Sequence, residues 1–94
     1  MKVVWSPIAA DEFDAAIGYL AERNPQAARK LAESVLAAID RLGAEPLDGR
    51  AHTLRTGEVV RGWPVPPLRV YYQRAEGVLL VVRVYDQRRE PIER

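Results

Sequence analysis

The residues of this chain best suited to chemistry are arginines and tyrosines in its second half. Residues 49–94 hold nine arginines and no lysine, and a guanidinium suits bidentate contact with carboxylate or phosphate groups. Such groups can stabilise the charge that develops on a phosphate in a transition state. Catalysis would also need a general base and a general acid, which arginine cannot supply because it stays protonated. The candidates for such a catalytic site are Arg83, Tyr85 and Arg88.

Other catalytic or metal-binding chemistry is poorly supplied. The chain has one histidine, His52, and no cysteine, which excludes the usual zinc sites and any disulfide framework. His52 falls in a predicted loop, where a lone histidine is usually a surface residue. Ser6 and Ser34 are better explained as a helix cap and a helix residue than as nucleophiles. We therefore expect no metal and no cofactor, and the residues argue against an enzyme more than for one.

The charge is unevenly distributed along the chain, although its net value is only +1. Residues 1–48 carry five Lys/Arg and eight Asp/Glu, a net −3, whereas residues 49–94 carry nine Lys/Arg and five Asp/Glu, a net +4. The two halves should therefore meet different partners. No apolar stretch approaches the ~20 residues of a membrane span, and the N-terminus lacks the apolar core of a signal peptide. These features predict one cytoplasmic domain over residues 1–94, with no membrane partner.

Helix start signals occur twice in the first half of the chain. Ser6-Pro7 and Asn24-Pro25 each place a capping side chain before a proline at the first helical position. Apolar residues then recur at helical spacing, which predicts helices over about 7–22 and from 25 to a stop at Gly43. Their short connection predicts an antiparallel hairpin. The buried stripe of this hairpin is expected to include Phe13, Ile17, Leu31, Val35 and Ile39.

Three β-prone runs follow a predicted loop over residues 44–57. They cover 58–63, 68–74 and 78–85, and the short connections marked by glycine and proline predict an antiparallel meander. A further β-prone run, Val3-Val4-Trp5, precedes the first helix. The order is strand, two helices and three strands, which predicts a two-layer α+β fold.

Residue parity assigns the two faces of the predicted sheet, because side chains alternate across a strand. The face against the helices should carry Leu68, Val70, Tyr72, Val78, Leu80, Val82 and Val84. The opposite face should carry Arg69, Tyr71, Gln73, Leu79, Val81, Arg83 and Tyr85, and one of the two possible parities of the first run adds Arg61 and Trp63. Such a face is either solvated or a binding surface. The enrichment of arginine and tyrosine at binding hot spots and on base-stacking platforms favours binding.

Six short segments, in register along the whole chain, form a further pattern. They are Val4-Trp5-Ser6-Pro7-Ile8-Ala9, Asn24-Pro25-Gln26-Ala27-Ala28, Pro46 with Gly49-Arg50, Glu58-Val59-Val60, Val70-Tyr71-Tyr72, and Arg83-Val84-Tyr85-Asp86-Gln87-Arg88-Arg89. Together they resemble the RelE/ParE toxin superfamily, in particular its ParE-like branch. Gly57 and Asp86 depart from the pattern, because many members have an arginine and a histidine at these positions.

The resemblance implies a RelE-like fold with the first strand beside the last, and a toxin of a type II toxin–antitoxin system that a cognate antitoxin neutralises. RelE-like members cleave mRNA on the ribosome without a metal, whereas ParE-like members poison DNA gyrase. The absence of sheet lysines and of a second acid or base favours gyrase, with a ribosome-dependent endoribonuclease as the alternative. Contacts with the target or the antitoxin are expected from Arg61, Trp63, Arg69, Tyr71, Arg83, Tyr85, Arg88 and Arg89.

Overall fold

The computed structural model describes residues 1–88. Its elements are β1 (Lys2–Trp5), α1 (Pro7–Arg23), α2 (Pro25–Ala44), β2 (Arg50–Thr53), β3 (Val59–Val65), β4 (Leu68–Ala75) and β5 (Val78–Asp86). Over these residues the strands form a five-stranded sheet in the order β1-β5-β4-β3-β2. β1 runs parallel to β5 and all other neighbours are antiparallel. The predicted two-layer α+β fold, with the first strand beside the last, is confirmed.

Both helices begin where their capping residues predicted. Ser6 Oγ and Asn24 Oδ1 each accept the amide three residues further on, at 3.0 Å and 3.1 Å. Each cap thereby satisfies a donor that the first turn of a helix leaves unbonded. The predicted stop at Gly43 is wrong, because α2 continues to Ala44. A glycine ends a helix by taking a positive φ, and within residues 1–88 only Gly57 and Gly77 do so.

The hydrophobic core lies between the helical hairpin and one face of the sheet. Val35 and Ile39 are buried in it, as predicted. Phe13 and Leu31 are partly buried against it, and Ile17 is half-buried. The core cluster consists of Ala9, Val35, Ile39, Leu42, Val65, Leu68, Val70, Tyr72, Leu79, Val81 and Val84. No helix within the described part of the chain is long and apolar enough to cross a membrane.

β5 carries a β-bulge at Val82. Tyr71 of β4 lies opposite Arg83, and the next residue of β4, Tyr72, lies opposite Val81, so that Val82 has no partner residue in the ladder. A bulge shifts the alternation of side chains by one residue. The two parts of β5 therefore follow opposite parities.

The bulge overturns the faces that parity predicted for the first part of β5. Leu79 and Val81 are fully buried in the core, although parity assigned them to the opposite face. Val78, Leu80 and Val82, which were expected against the helices, are only half-buried. These assignments were wrong because counting by parity assumes an uninterrupted ladder.

The predicted loop over residues 44–57 contains the edge strand β2. Arg50 and His52 of β2 lie opposite Gly62 and Val60 of β3. Just before β2, a Cβ on Gly49 would lie 2.0 Å from the carbonyl oxygen of Gly62. Only glycine therefore allows the chain to approach β3 this closely.

Candidate functional site

One face of the sheet lies away from the two helices, and we call it the open face. Leu68, Val70 and Tyr72 of β4 point into the core, so the residues between them point the other way. The register then places on the open face Arg50 and His52 of β2, Gly62 of β3, Arg69, Tyr71 and Gln73 of β4, and Leu80, Arg83 and Tyr85 of β5. Residue parity predicted the positions on β4 and those of Arg83 and Tyr85 correctly. Arg50 and His52 were not among the predicted residues, because their strand, β2, was predicted to be a loop.

The centre of the open face is built over Gly62. A Cβ added to Gly62 would lie 3.1 Å from Cδ of Arg69 and 3.2 Å from Cε1 of Tyr71, so these two side chains converge on the bare glycine backbone. The His52 ring stands edge-on to the Tyr71 ring with 5.4 Å between their centroids. The result is a compact group of one guanidinium, one imidazole and one phenol.

Arg61 and Trp63 lie on the other face of the sheet, against the helices. They pair with Tyr72 and Val70, whose side chains belong to the core, and Trp63 packs against that core. The possible parity of β3 that put both residues on the open face is therefore wrong. A strand of mixed composition does not show which of its faces is buried until its neighbours are known.

Arg61 belongs to a polar network that fastens the segment between α2 and β2. Its Nη1 donates to the Gly49 carbonyl at 3.0 Å, and its Nε lies 3.8 Å from Oδ1 of Asp48. Arg74 binds the same Asp48 carboxylate and donates to the carbonyl of Leu42 at 2.9 Å. The Tyr72 hydroxyl completes the network by accepting the Gly49 amide at 2.7 Å. These contacts hold the entry to β2, and hence Arg50 and His52, in place.

Arg83 has an open-face position in the ladder, but its guanidinium reaches the edge of the sheet and binds Glu12 of α1. Nε lies 3.0 Å and 3.1 Å from the two carboxylate oxygens of Glu12, and Nη2 lies 2.5 Å from Oε2. Glu12 raises the pKa of Arg83 above its ordinary value, chiefly through this hydrogen bonding. The Tyr85 ring centroid lies 5.7 Å from the guanidinium carbon. Arg83 and Tyr85 are therefore neighbours, as the candidate catalytic site required. The charge of Arg83, however, is already paired with Glu12.

Glu12 also bonds to the sheet itself. Its Oε1 accepts the backbone amide of Val84 at 2.9 Å. Glu12 is a functional residue that the predicted site did not include, although its position along α1 gives a signal. Glu12 follows Ala9 by three positions and precedes Ala16 by four, so it lies on the apolar stripe of α1, where a carboxylate needs a partner.

Beyond the end of β1, no strand within residues 1–88 pairs with the outer edge of β5. β1 ends at Trp5, opposite Val81. The next group along the edge, the Val82 carbonyl, accepts the Ser6 hydroxyl at 2.8 Å, and the Val84 amide bonds to Glu12. Side chains thus take the place of a neighbouring strand at this edge.

A groove of about 900 Å³ lies between α1 and the end of β5, and we call it the edge groove. Its lining includes Ala16, Leu20, Leu31, Leu68 and Val84, with Asp11, Glu12, Tyr19, Arg23, Tyr85, Asp86 and Arg88 among the polar and aromatic residues.

Nη2 of Arg88 binds Oδ2 of Asp86 at 2.6 Å, and this hydrogen bond raises the pKa of Arg88. Arg89, the last predicted contact residue, lies outside the described residues.

The family model of the ParE toxin of type II toxin-antitoxin system, parDE, matches residues 3–91. The chain belongs to this family. Toxin RelE2 of Caulobacter vibrioides is 32% identical to it over 83 residues, which are 88% of this chain and 91% of that protein. A solved chain of the chromosomal ParDE TA system from P. aeruginosa has the same fold, with a TM-score of 0.74 at 19% identity over 92% of this chain and 95% of that one.

In this ParE-family chain, the predicted catalytic residues Arg83, Tyr85 and Arg88 do not form one site with free charges. Arg83 is bound by Glu12 and Arg88 by Asp86, so their charges are not both directed at one point with Tyr85. The imidazole of His52 instead lies beside Tyr71 on the open face, which corrects its assignment to a loop. Within residues 1–88, no group of three or more His, Cys, Asp or Glu side chains is arranged to hold a metal ion.

Proposed function

We propose that this chain is a cytoplasmic toxin that inhibits DNA gyrase by binding to it, and that a cognate antitoxin neutralises it. Membership of the ParE toxin family supports the gyrase target, because the ParE-like branch that the sequence resembles acts on gyrase rather than on mRNA. The description of the family as toxins of type II toxin–antitoxin systems supports an antitoxin partner.

The observation that carries the gyrase proposal is the pairing of Arg83 with Glu12. A ribonuclease needs an arginine free to meet the charge that develops on the phosphate in the transition state. The Arg83 guanidinium instead forms a bidentate ion pair with a carboxylate 71 positions away in the chain, and Arg88 is paired with Asp86. Two of the three candidate catalytic residues, Arg83 and Arg88, are therefore held in ion pairs. This favours a toxin that binds a target protein over one that cleaves RNA.

We assign the gyrase contact to the centre of the open face. Arg69 and Tyr71 converge on Gly62 there, with Arg50 on the neighbouring strand. Arginine is enriched among residues that dominate binding energy, and the rigid sheet presents Arg50 and Arg69 without the entropic cost of ordering a loop. Tyr71 is only 6% exposed, so it supports this group from within rather than offering its ring to a partner.

We assign the antitoxin contact to the edge groove. Its apolar lining suits the apolar stripe of an amphipathic helix, and the adjacent uncovered edge of β5 suits an extended segment. Arg23 and Arg88 at the groove suit acidic residues of that partner. The open face and the groove meet at Arg83 and Tyr85, so a bound antitoxin would also reach the margin of the gyrase contact.

Gyrase inhibition is tested with purified chain in a supercoiling assay and in an assay for trapped, cleaved DNA. We expect inhibition by the native chain, and about tenfold or greater loss of potency in Arg69→Ala, the effect of removing a hot-spot residue. Arg29→Ala is the matched control, because Arg29 is exposed on α2, away from the open face. Full supercoiling activity in the presence of excess native chain would refute the proposal.

A ribosome-dependent endoribonuclease is the second candidate, and the position of His52 favours it. The imidazole lies beside Tyr71 on the face that carries Arg50 and Arg69, where it can serve as the acid–base group that arginine cannot provide. Primer extension on cellular mRNA tests this function. Ribosome-dependent cuts that disappear in His52→Ala or Tyr85→Phe would establish it, and intact mRNA together with inhibited gyrase would exclude it.

A further inference from the structure

Glu12 performs two tasks at once at the uncovered edge of β5. Its carboxylate accepts the Val84 amide, which is the task of a carbonyl in a neighbouring strand, and it holds the Arg83 guanidinium at two points. Both tasks are those that a bound peptide would perform at a sheet edge, through one main-chain carbonyl and one acidic side chain. Glu12 therefore resembles a ligand of the edge that the chain supplies to itself.

The surroundings of Glu12 allow this contact to be exchanged. The Glu12 and Arg83 side chains remain 22% and 32% exposed, so a partner can reach the ion pair without opening the core. Glu12 lines the edge groove, as do Val84 and Tyr85, and Arg83 is bound to Glu12. A carboxylate that entered the groove toward Arg83 would meet Glu12 and be repelled, unless Glu12 moved away.

We propose that Glu12 is a latch, which closes the edge of β5 in the unbound chain and is displaced by the antitoxin. The occupant that replaces it is an extended segment whose main-chain carbonyl accepts the Val84 amide and whose Asp or Glu side chain binds Arg83. This inference rests on the proposed antitoxin partner and adds to it the chemistry of the segment that binds. It also assigns Glu12 to competition with the antitoxin rather than to its recognition.

The latch makes a prediction opposite to that of an ordinary interface residue. A competitor that occupies the site in the free chain raises the apparent dissociation constant, because the intrinsic constant is divided by the fraction of chains that remain open. Removal of the carboxylate in Glu12→Ala should therefore tighten antitoxin binding, by about tenfold if the latch is closed in about nine chains of ten. Glu12→Gln keeps an oxygen for the Val84 amide and loses the charge that holds Arg83, so its effect should be smaller and in the same direction.

The experiment measures the dissociation constant of the antitoxin encoded beside this chain for native protein, Glu12→Ala, Glu12→Gln and Asp14→Asn. Asp14→Asn is the matched control, because Asp14 is exposed on the same helix, two residues from Glu12, and does not line the edge groove. We expect tighter binding by both Glu12 variants and a change of less than about twofold in the control. Equal or weaker binding by a folded Glu12 variant would overturn the latch, and thermal unfolding identifies which variants are folded.

Hydrogen exchange at the Val84 amide gives a readout that does not depend on affinity. In the unbound chain, Glu12→Ala should raise the exchange rate at Val84 by about tenfold or more, since the amide loses its acceptor, and Asp14→Asn should not. With antitoxin bound, the Val84 amide should be protected equally in native protein and Glu12→Ala. Protection in the native complex that is lost in the Glu12→Ala complex would show that Glu12 stays in place, and would overturn the proposal. An antitoxin that binds no form of the chain would instead refute the proposed partner, while exchange in the unbound chain still reports on the closed edge.

Discussion

Tyr72→Phe removes a single oxygen from the centre of the molecule. The Tyr72 side chain is 0% exposed, and its hydroxyl accepts the Gly49 amide at 2.7 Å. A net hydrogen bond contributes about 0.5–1.5 kcal/mol, and a buried donor left without an acceptor costs about 1–3 kcal/mol. The Gly49 bond is only part-buried, so water partly compensates, and we expect the free energy of unfolding to fall by about 1.5 kcal/mol. For a chain of this size, that corresponds to a Tm lower by about 6–12 °C.

Tyr72→Phe should loosen the structure around Gly49 in addition to lowering the stability of the whole domain. Gly49 precedes β2, so the exchange of its amide hydrogen should accelerate more than that of amides within α1 or α2. Urea unfolding gives the change in stability, and Tyr19→Phe is the control because the Tyr19 side chain is 57% exposed. A loss below about 0.3 kcal/mol, with unchanged exchange at Gly49, would refute the role given to the hydroxyl.

Three further substitutions test the core, the caps and the open face. Ile39→Ala should lower the free energy of unfolding by about 2–5 kcal/mol, because Ile39 is 2% exposed in the core; a loss under about 0.5 kcal/mol in urea would mean that the stripe of α2 is misassigned. Asn24→Ala should cost about 1 kcal/mol in the same assay, while Glu22→Ala, two residues before the cap, should cost less; equal effects would contradict the cap. Gly62→Ala should weaken gyrase inhibition, because the added Cβ lies 3.1 Å from Arg69 Cδ and displaces that side chain; unchanged inhibition by the folded variant would remove the centre of the open face from the gyrase contact.

The helices could be predicted from sequence because their signals are local. A capping side chain followed by proline acts within one turn, and Asn24 and Ser6 accept the amides that such caps accept elsewhere. The sheet could be predicted only in part, because its faces depend on register. One extra residue at Val82 exchanged the faces of the first half of β5, and nothing in a run of valines and leucines marks which of them is the extra residue.

In the candidate site, too, positions set by local alternation could be predicted, whereas those set by long-range pairing could not. Arg69 and Tyr71 lie where parity put them, since β4 is regular on both sides of them. Arg61 could not be placed, because its face is set by pairing with Tyr72 rather than by its own strand. The pairing of Arg83 with Glu12 joins residues 71 positions apart, and only the isolated carboxylate on an apolar helix stripe pointed to it.

Because β1 pairs with β5, the sheet cannot form completely until β5 has been synthesised. The Ser6 hydroxyl and the Val82 carbonyl that it bonds are 76 positions apart. At about 5–20 residues per second, the ribosome takes roughly 4–15 s to make the intervening chain. Over that time β1 is without its partner strand, and the helical hairpin lacks the strand that contributes Leu79, Val81 and Val84 to its core. Arg83 and Tyr85 lie in β5, which is made after the other described strands and helices, so the surfaces proposed for gyrase and for the antitoxin form only once β5 has been made.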